Sequence, residues 1–162
     1  QGTPSFVERS TPDGLVRLKN NLLVGTSGAG TESVFYPTLQ ALSEPNLSGT
    51  NRSFYRSQAY LAVVFVTDAA DQSSMSANAL YQFLMNLKSW DKDKVIAYGV
   101  IVPSVDDICQ RDDPSMKPLS IEEFLHMTKG LSFSLCAPDC VAFFIDHHSG
   151  GDRLYGTRGL YV

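Results

Sequence analysis

Asp68, Asp71, Ser73 and Ser74 crowd one short stretch directly after the apolar run Tyr60–Val66. Carboxylate and hydroxyl oxygens are hard ligands, suited to Mg²⁺ or Ca²⁺. The same residue types build Asx turns that only satisfy nearby backbone groups, and their chemistry alone leaves both readings open. A second loop, Gly25-Thr26-Ser27-Gly28-Ala29-Gly30-Thr31, imitates a phosphate-cradling glycine loop. It lacks the lysine that such a loop places before its Ser or Thr, so it also reads as a glycine turn entering a helix. Asp146-His147-His148 suggests a metal-dependent phosphoesterase, but the further Asp and His ligands which that chemistry needs are not in evidence. Cys136 and Cys140 lie too close to His147 for a zinc finger, which separates its ligand pairs by about 12 residues. No G-x-S-x-G nucleophile elbow occurs. His126 falls on a predicted helix, where a histidine is more often a packing or surface residue than a base. Cys109, Cys136 and Cys140 are the three cysteines. They fit buried thiols, metal ligands or a disulfide, according to the compartment.

The elements that must carry these loops follow from the apolar spacing. Tyr60–Val66 is apolar on both faces, as a central parallel strand is, and the polar Asp68 loop follows at its carboxyl end. Ser76 to Trp90 places Leu80, Phe83, Leu84 and Leu87 on one side and predicts a helix. Val95–Val102 predicts a second buried strand, closed by Pro103, and Asp106–Pro118 a polar loop that contains Cys109. A helix opens near Ser120 and stops at Lys129-Gly130, and Leu131–Leu135 predicts a short edge strand. Pro138–Asp146 predicts a last helix. Upstream, Thr31 and Glu32 predict the start of a helix that carries Val34, Phe35, Leu39 and Leu42. Leu15, Leu18, Leu22 and Leu23 fit neither period. Strands alternating with helices imply an α/β fold with a doubly wound, mostly parallel sheet of Rossmann type flanked by helices. In such sheets ligands sit at the carboxyl ends of the strands. The Asp68 loop and the Gly25–Thr31 loop both belong at that edge. Residues 1–12 read as an arm or linker, and 13–162 as one domain.

The 162 residues are 43% hydrophobic and 19% charged, enough for one domain with a real core. The net charge of −4 and the scattering of the basic residues argue against a nucleic-acid surface. No apolar stretch approaches the ~20 residues of a membrane-spanning helix.

The run Phe54-Tyr55-Arg56-Ser57-Gln58-Ala59-Tyr60-Leu61-Ala62 leading into Val66-Thr67-Asp68-Ala69-Ala70-Asp71-Gln72-Ser73 resembles the central segment of bacterial von Willebrand factor type A-like envelope proteins and lipoproteins. There an F-x-R-x-x-A-x-L-A strand enters a V-S/T-D-x-x-D-x-S loop. Gly25 to Leu42 is similar to the preceding piece of that family, and Cys109, the helix before Gly130, and Ser134-Leu135-Cys136 resemble its late part. The resemblance covers about Val24 to Asp139. It implies a von Willebrand type A fold with a metal ion-dependent adhesion site. In that site a D-x-S-x-S loop, a Thr from a second loop and an Asp after a central strand share the ion. Asp68 matches the Asp. Thr31 matches the Thr, with Thr26 as second choice. The D-x-S-x-S motif is absent, and the strand that should carry it would lie before Gln1, so the chain reads as the carboxyl-terminal part of such a domain. Ala69 and Ala70 stand where relatives are often acidic.

The resemblance therefore implies an exported protein-binding module rather than an enzyme, placed in the periplasm, on the outer-membrane surface or outside the cell. Thr31 and Asp68 would hold Mg²⁺ or Ca²⁺, and an acidic side chain of a protein partner would complete the shell. Thr26, Asp71 and Ser73 would shape the binding rim. A cysteine pair in the family's late part implies a Cys109–Cys136 disulfide, and the predicted neighbouring strand ends make that pairing feasible. The alternatives are a nucleotide or phosphoester hydrolase built on the Gly25–Thr31 loop, or a structural envelope domain without metal.

Overall fold

Two consecutive strand–helix–strand units form the centre of the molecule. The computed structural model describes residues 6–23, 30–105 and 117–137. Strand β1 (Leu61–Val66) is followed by helix α3 (Ala77–Leu87), strand β2 (Val95–Ile101), helix α4 (Leu119–Met127) and strand β3 (Leu131–Ser134). Two helices precede them, α1 (Gly14–Leu22) and α2 (Phe35–Ala41). The strands pair in parallel in the order β1-β2-β3. Leu61 stands opposite Val95 and Phe65 opposite Gly99, while Gly99 stands opposite Ser132. The protein is thus α/β, a small parallel sheet flanked by helices, in keeping with the Rossmann-type reading. Right-handed crossovers between sequential strands place their helices on one side of a sheet, and α3 packs against α4 accordingly.

The helix-covered face holds the core. Leu61 and Phe65 of β1 and Val95, Ala97 and Ile101 of β2 are buried there. They meet Leu80, Leu84 and Met85 of α3 and Ile121, Phe124 and Leu125 of α4. Phe35, Phe65 and Phe124 form a closed trio with ring centroids 5.5–5.7 Å apart. Glycine is needed where α4 crosses the sheet. A Cβ on Gly99 would lie 2.8 Å from Leu125 Cδ1, and one on Gly130 would lie 2.4 Å from the Ala97 carbonyl oxygen.

The opposite face is apolar as well, with Ala62, Val64, Ile96, Tyr98, Val100 and Phe133, but these residues are only half-buried. Phe65 of β1 and Val102, just past β2, are buried, whereas Val63 and Val100 are half-buried. Sequence marks both faces as apolar, but the described helices cover one of them.

Local signals account for the well-placed elements. Ser76 caps α3, its Oγ accepting the Ala79 N–H at 3.2 Å. Lys129, at φ 52°, turns the chain out of α4, and the Gly130 N–H closes that end on the Leu125 carbonyl at 2.7 Å. The stretch at Leu15–Leu23 that fits neither period is helical, as α1. Leu15, Leu18 and Leu22 do share one face of it at helical spacing, but none of its residues is buried. Phe6 of the expected arm packs on Phe54 with ring centroids 6.0 Å apart.

Candidate functional site

The carboxyl edge of the sheet is organised by Asp71. Helix α2 begins with Val34 at its N-cap, which offers no side-chain acceptor, and its first turn carries no acidic residue. Its first N–H groups therefore need acceptors from elsewhere. Asp71 supplies them from the loop after β1. Its Oδ1 accepts the Val34 N–H at 2.7 Å and the Phe35 N–H at 3.2 Å. A carboxylate here also suits the positive end of the helix. The Gln72 N–H donates to the Glu32 carbonyl at 2.8 Å and fastens the same two segments together.

This arrangement corrects the expected helix start. Thr31 does not cap α2; the helix opens four residues later, because its cap comes from a residue distant in sequence.

Two serines complete the cluster. The Ser73 hydroxyl donates to Asp71 Oδ1 at 2.8 Å and accepts the Tyr36 N–H at 3.1 Å. Ser33 Oγ lies 2.6 Å from Ser73 Oγ. A hydroxyl has one proton and two lone pairs. The Ser73 proton is already given to Asp71, so Ser33 is the donor in the serine pair. Ser73 is then saturated, while the lone pairs of Ser33 Oγ receive no donor among the described residues. Asp71 Oδ2 is buried and has no hydrogen-bond partner among the described residues. A buried carboxylate oxygen without a donor is uncommon enough to need a cause. The cluster thus offers two oxygen acceptors, Asp71 Oδ2 and Ser33 Oγ.

Thr31 and Asp68, the residues expected to hold the ion, are both exposed, and among the described residues neither hydrogen-bonds to the cluster. Asp71 and Ser73, expected on the rim, are half-buried and brace α2. Thr26 lies outside the described residues. No group of three or more His, Cys, Asp or Glu converges on a point among the described residues.

Family models, curated proteins and solved structures offer no match to this chain.

Ser33 is the functional candidate that the sequence reading missed. A lone serine two residues after Thr31 carries no signature, and only the approach of the Asp71 loop gives it a role. Within the glycine loop, only Gly30 and Thr31 are described, so its phosphate-cradling geometry lies outside the described residues, as do Asp146, His147 and His148.

At the next strand ends, the Ser104 N–H donates to Glu122 Oε1 at 2.8 Å, tying the loop after β2 to α4. Cys136 follows β3, its N–H donating to Ser134 Oγ at 3.1 Å. Cys109 and Cys140 both lie outside the described residues. No helix among the described residues is long and apolar enough to cross a membrane.

Proposed function

We propose that the protein is an exported binding module that recognises a protein partner at the carboxyl edge of its sheet, through a divalent cation held by Asp71 and Ser33. The observation that carries this reading is the buried Oδ2 of Asp71, which has no donor among the described residues, with Ser33 Oγ joined to the same carboxylate through Ser73. A hard cation satisfies both oxygens at once. One carboxylate oxygen and one hydroxyl make a sparse donor set. That favours Mg²⁺, which keeps several of its waters and needs only one or two carboxylates, over Ca²⁺, which takes 6–8 oxygens. Asp68 and Thr31, exposed and near Asp71 and Ser33 in sequence, would orient metal-bound water. The open coordination positions would accept a carboxylate from the partner. A Cys109–Cys136 disulfide belongs to the same proposal, since such bonds persist in oxidising compartments.

Hydrolysis of a nucleotide or phosphoester has less support. The glycine loop has no lysine before Thr31, and neither Asp68 nor Asp71 stands beside a base among the described residues.

Retention on a poly-glutamate surface tests the proposal. The protein should be held in millimolar Mg²⁺ and released by EDTA. Asp71→Asn should abolish the retention. Retention indifferent to EDTA, or none at all, contradicts the reading.

A further inference from the structure

The amino edge of the sheet holds a second feature, far from Asp71 along β1. A cavity of about 420 Å³ opens there, between the arm at residues 6–10, the Ser53–Tyr60 segment, the start of β1 and the end of α3. Its size lies within the range of small-molecule sites. One wall is aromatic, from Phe6, Phe54 and Tyr55; the charged lining is Arg9, Arg56 and Lys88 against one carboxylate, Glu8. Glu8 is exposed, and its Oε2 accepts a long bond of 3.4 Å from Ser10 Oγ.

Lys88 is the unusual member. It is only 2% exposed and is the one charged residue in the buried set among the described residues. Its Nζ donates to the Arg56 carbonyl at 2.7 Å and sits 4.3 Å from the centroid of the Tyr55 ring. Tyr55 is itself fixed, its hydroxyl donating to the Leu87 carbonyl. A carbonyl and a ring face offset part of the cost of burying the ammonium, but neither carries a full negative charge. No carboxylate pairs with it among the described residues. Burial, then the charges of Lys94 and Arg56, push its pKa below the usual lysine value. A buried cation at the wall of a cavity, with unused donor capacity, is what an anionic ligand would complete.

We propose that this cavity binds a small aromatic carboxylate, its ring against Phe6 and Phe54 and its carboxylate on the Lys88 ammonium, with Arg9 at the mouth. A neutral ligand of the same shape gains the apolar contact but leaves Lys88 unpaired. An inorganic anion gains the charge but not the ring contact. The site is therefore selective for molecules that have both parts.

Isothermal titration of the full chain tests this with 4-phenylbutyrate and with its neutral amide, 4-phenylbutyramide. The acid should bind one to one and about tenfold or more tighter than the amide, the scale of one lost charge-assisted hydrogen bond. Lys88→Met keeps the length of the side chain without its charge and should remove that preference. Lys88→Gln serves the same purpose should the methionine variant fail to fold. Arg9 is exposed, so Arg9→Ala leaves the fold intact and should weaken the acid alone, by about threefold for a solvent-screened charge. No saturable binding at millimolar acid, equal affinity for acid and amide, or an acid preference that survives loss of the Lys88 charge would each overturn the proposal. The Asp71 site lies at the other end of β1, so Asp71→Asn should leave this titration unchanged.

Discussion

Replacing Asp71 by alanine removes the acceptor that starts α2, and its cost can be worked from the contacts. Three donors lose their partner: the Val34 N–H, the Phe35 N–H and the Ser73 hydroxyl. Hydrogen bonds to a charged group contribute about 1.5–3 kcal/mol each when buried. This cluster is half-buried, and Ser73 can turn to another partner, so the two backbone bonds dominate at about 1–2 kcal/mol each. Relief of the donor-less Oδ2 offsets part of this loss. The expected net cost is about 2–3 kcal/mol, large beside the 5–15 kcal/mol stability of a typical domain. With a urea m-value of about 2 kcal/mol/M, the unfolding midpoint should fall by about 1–1.5 M. Urea titration followed by circular dichroism reads this directly. Asp71→Asn keeps an acceptor oxygen for both N–H groups and should cost only about 1 kcal/mol. Asp68→Ala touches nothing in the cluster and should stay within about 0.5 kcal/mol of the parent. If Asp71→Ala melts with the parent, or Asp68→Ala is the costlier change, Asp71 does not brace the edge as described.

Other expectations concern the core, the buried lysine and the cysteines. Gly130→Ala forces a methyl onto the Ala97 carbonyl, while Gly30→Ala meets open space; urea titration should show a loss of at least about 2 kcal/mol for the first and little change for the second. Phe65→Ala opens the aromatic trio with Phe35 and Phe124 and should cost about 3–5 kcal/mol by the same assay. The folded-state pKa of Lys88 lies below its ordinary 10.5, so the unfolded chain binds more protons between those two values. Stability contributed by this group therefore rises as pH climbs through the depressed pKa towards 10.5, and Lys88→Met should flatten that slope. Tyr55, whose pKa is raised above 10.0 by burial, acts oppositely at the alkaline end and is common to both proteins. Thiol counting under denaturing, non-reducing conditions should find one free thiol, and peptide mapping should assign it to Cys140. A Cys136–Cys140 link would refute the proposed Cys109 pairing.

The elements that sequence marked well were those whose burial is periodic and whose ends carry their own signals. Helix α3 has Leu80 and Leu84 on one stripe and Ser76 at its cap, and β1 is an unbroken apolar run that can scarcely be anything else. What was hard to read came from contacts distant in sequence. The start of α2 depends on a carboxylate 37 residues away, so Thr31 looked like the cap until the Asp71 loop was in place. Helix α1 carries Leu15, Leu18 and Leu22 at helical spacing, but Val16 and Leu23 beside them blur the stripe, and none of its residues is buried. The candidate site was legible as a loop, since carboxylates and hydroxyls cluster after β1. The division of labour within it was not, because Asp68 and Asp71 are the same residue type and only their surroundings separate the exposed one from the half-buried one. The amino-edge cavity gave no signal, because Phe6, Tyr55 and Lys88 come from three separate segments.

The binding proposal stands or falls on whether the oxygens of Asp71 and Ser33 hold a cation. Mn²⁺ substitutes for Mg²⁺ at oxygen sites and can be counted as free ion by electron paramagnetic resonance. Titrated into the full chain, Mn²⁺ should fill one site per molecule and be displaced by excess Mg²⁺. The site should persist in Asp68→Ala, weaken in Ser33→Ala and vanish in Asp71→Asn, with circular dichroism showing that each variant is folded. No bound Mn²⁺ at millimolar concentration, or a site that survives Asp71→Asn and is lost in Asp68→Ala, would contradict the proposed ligands.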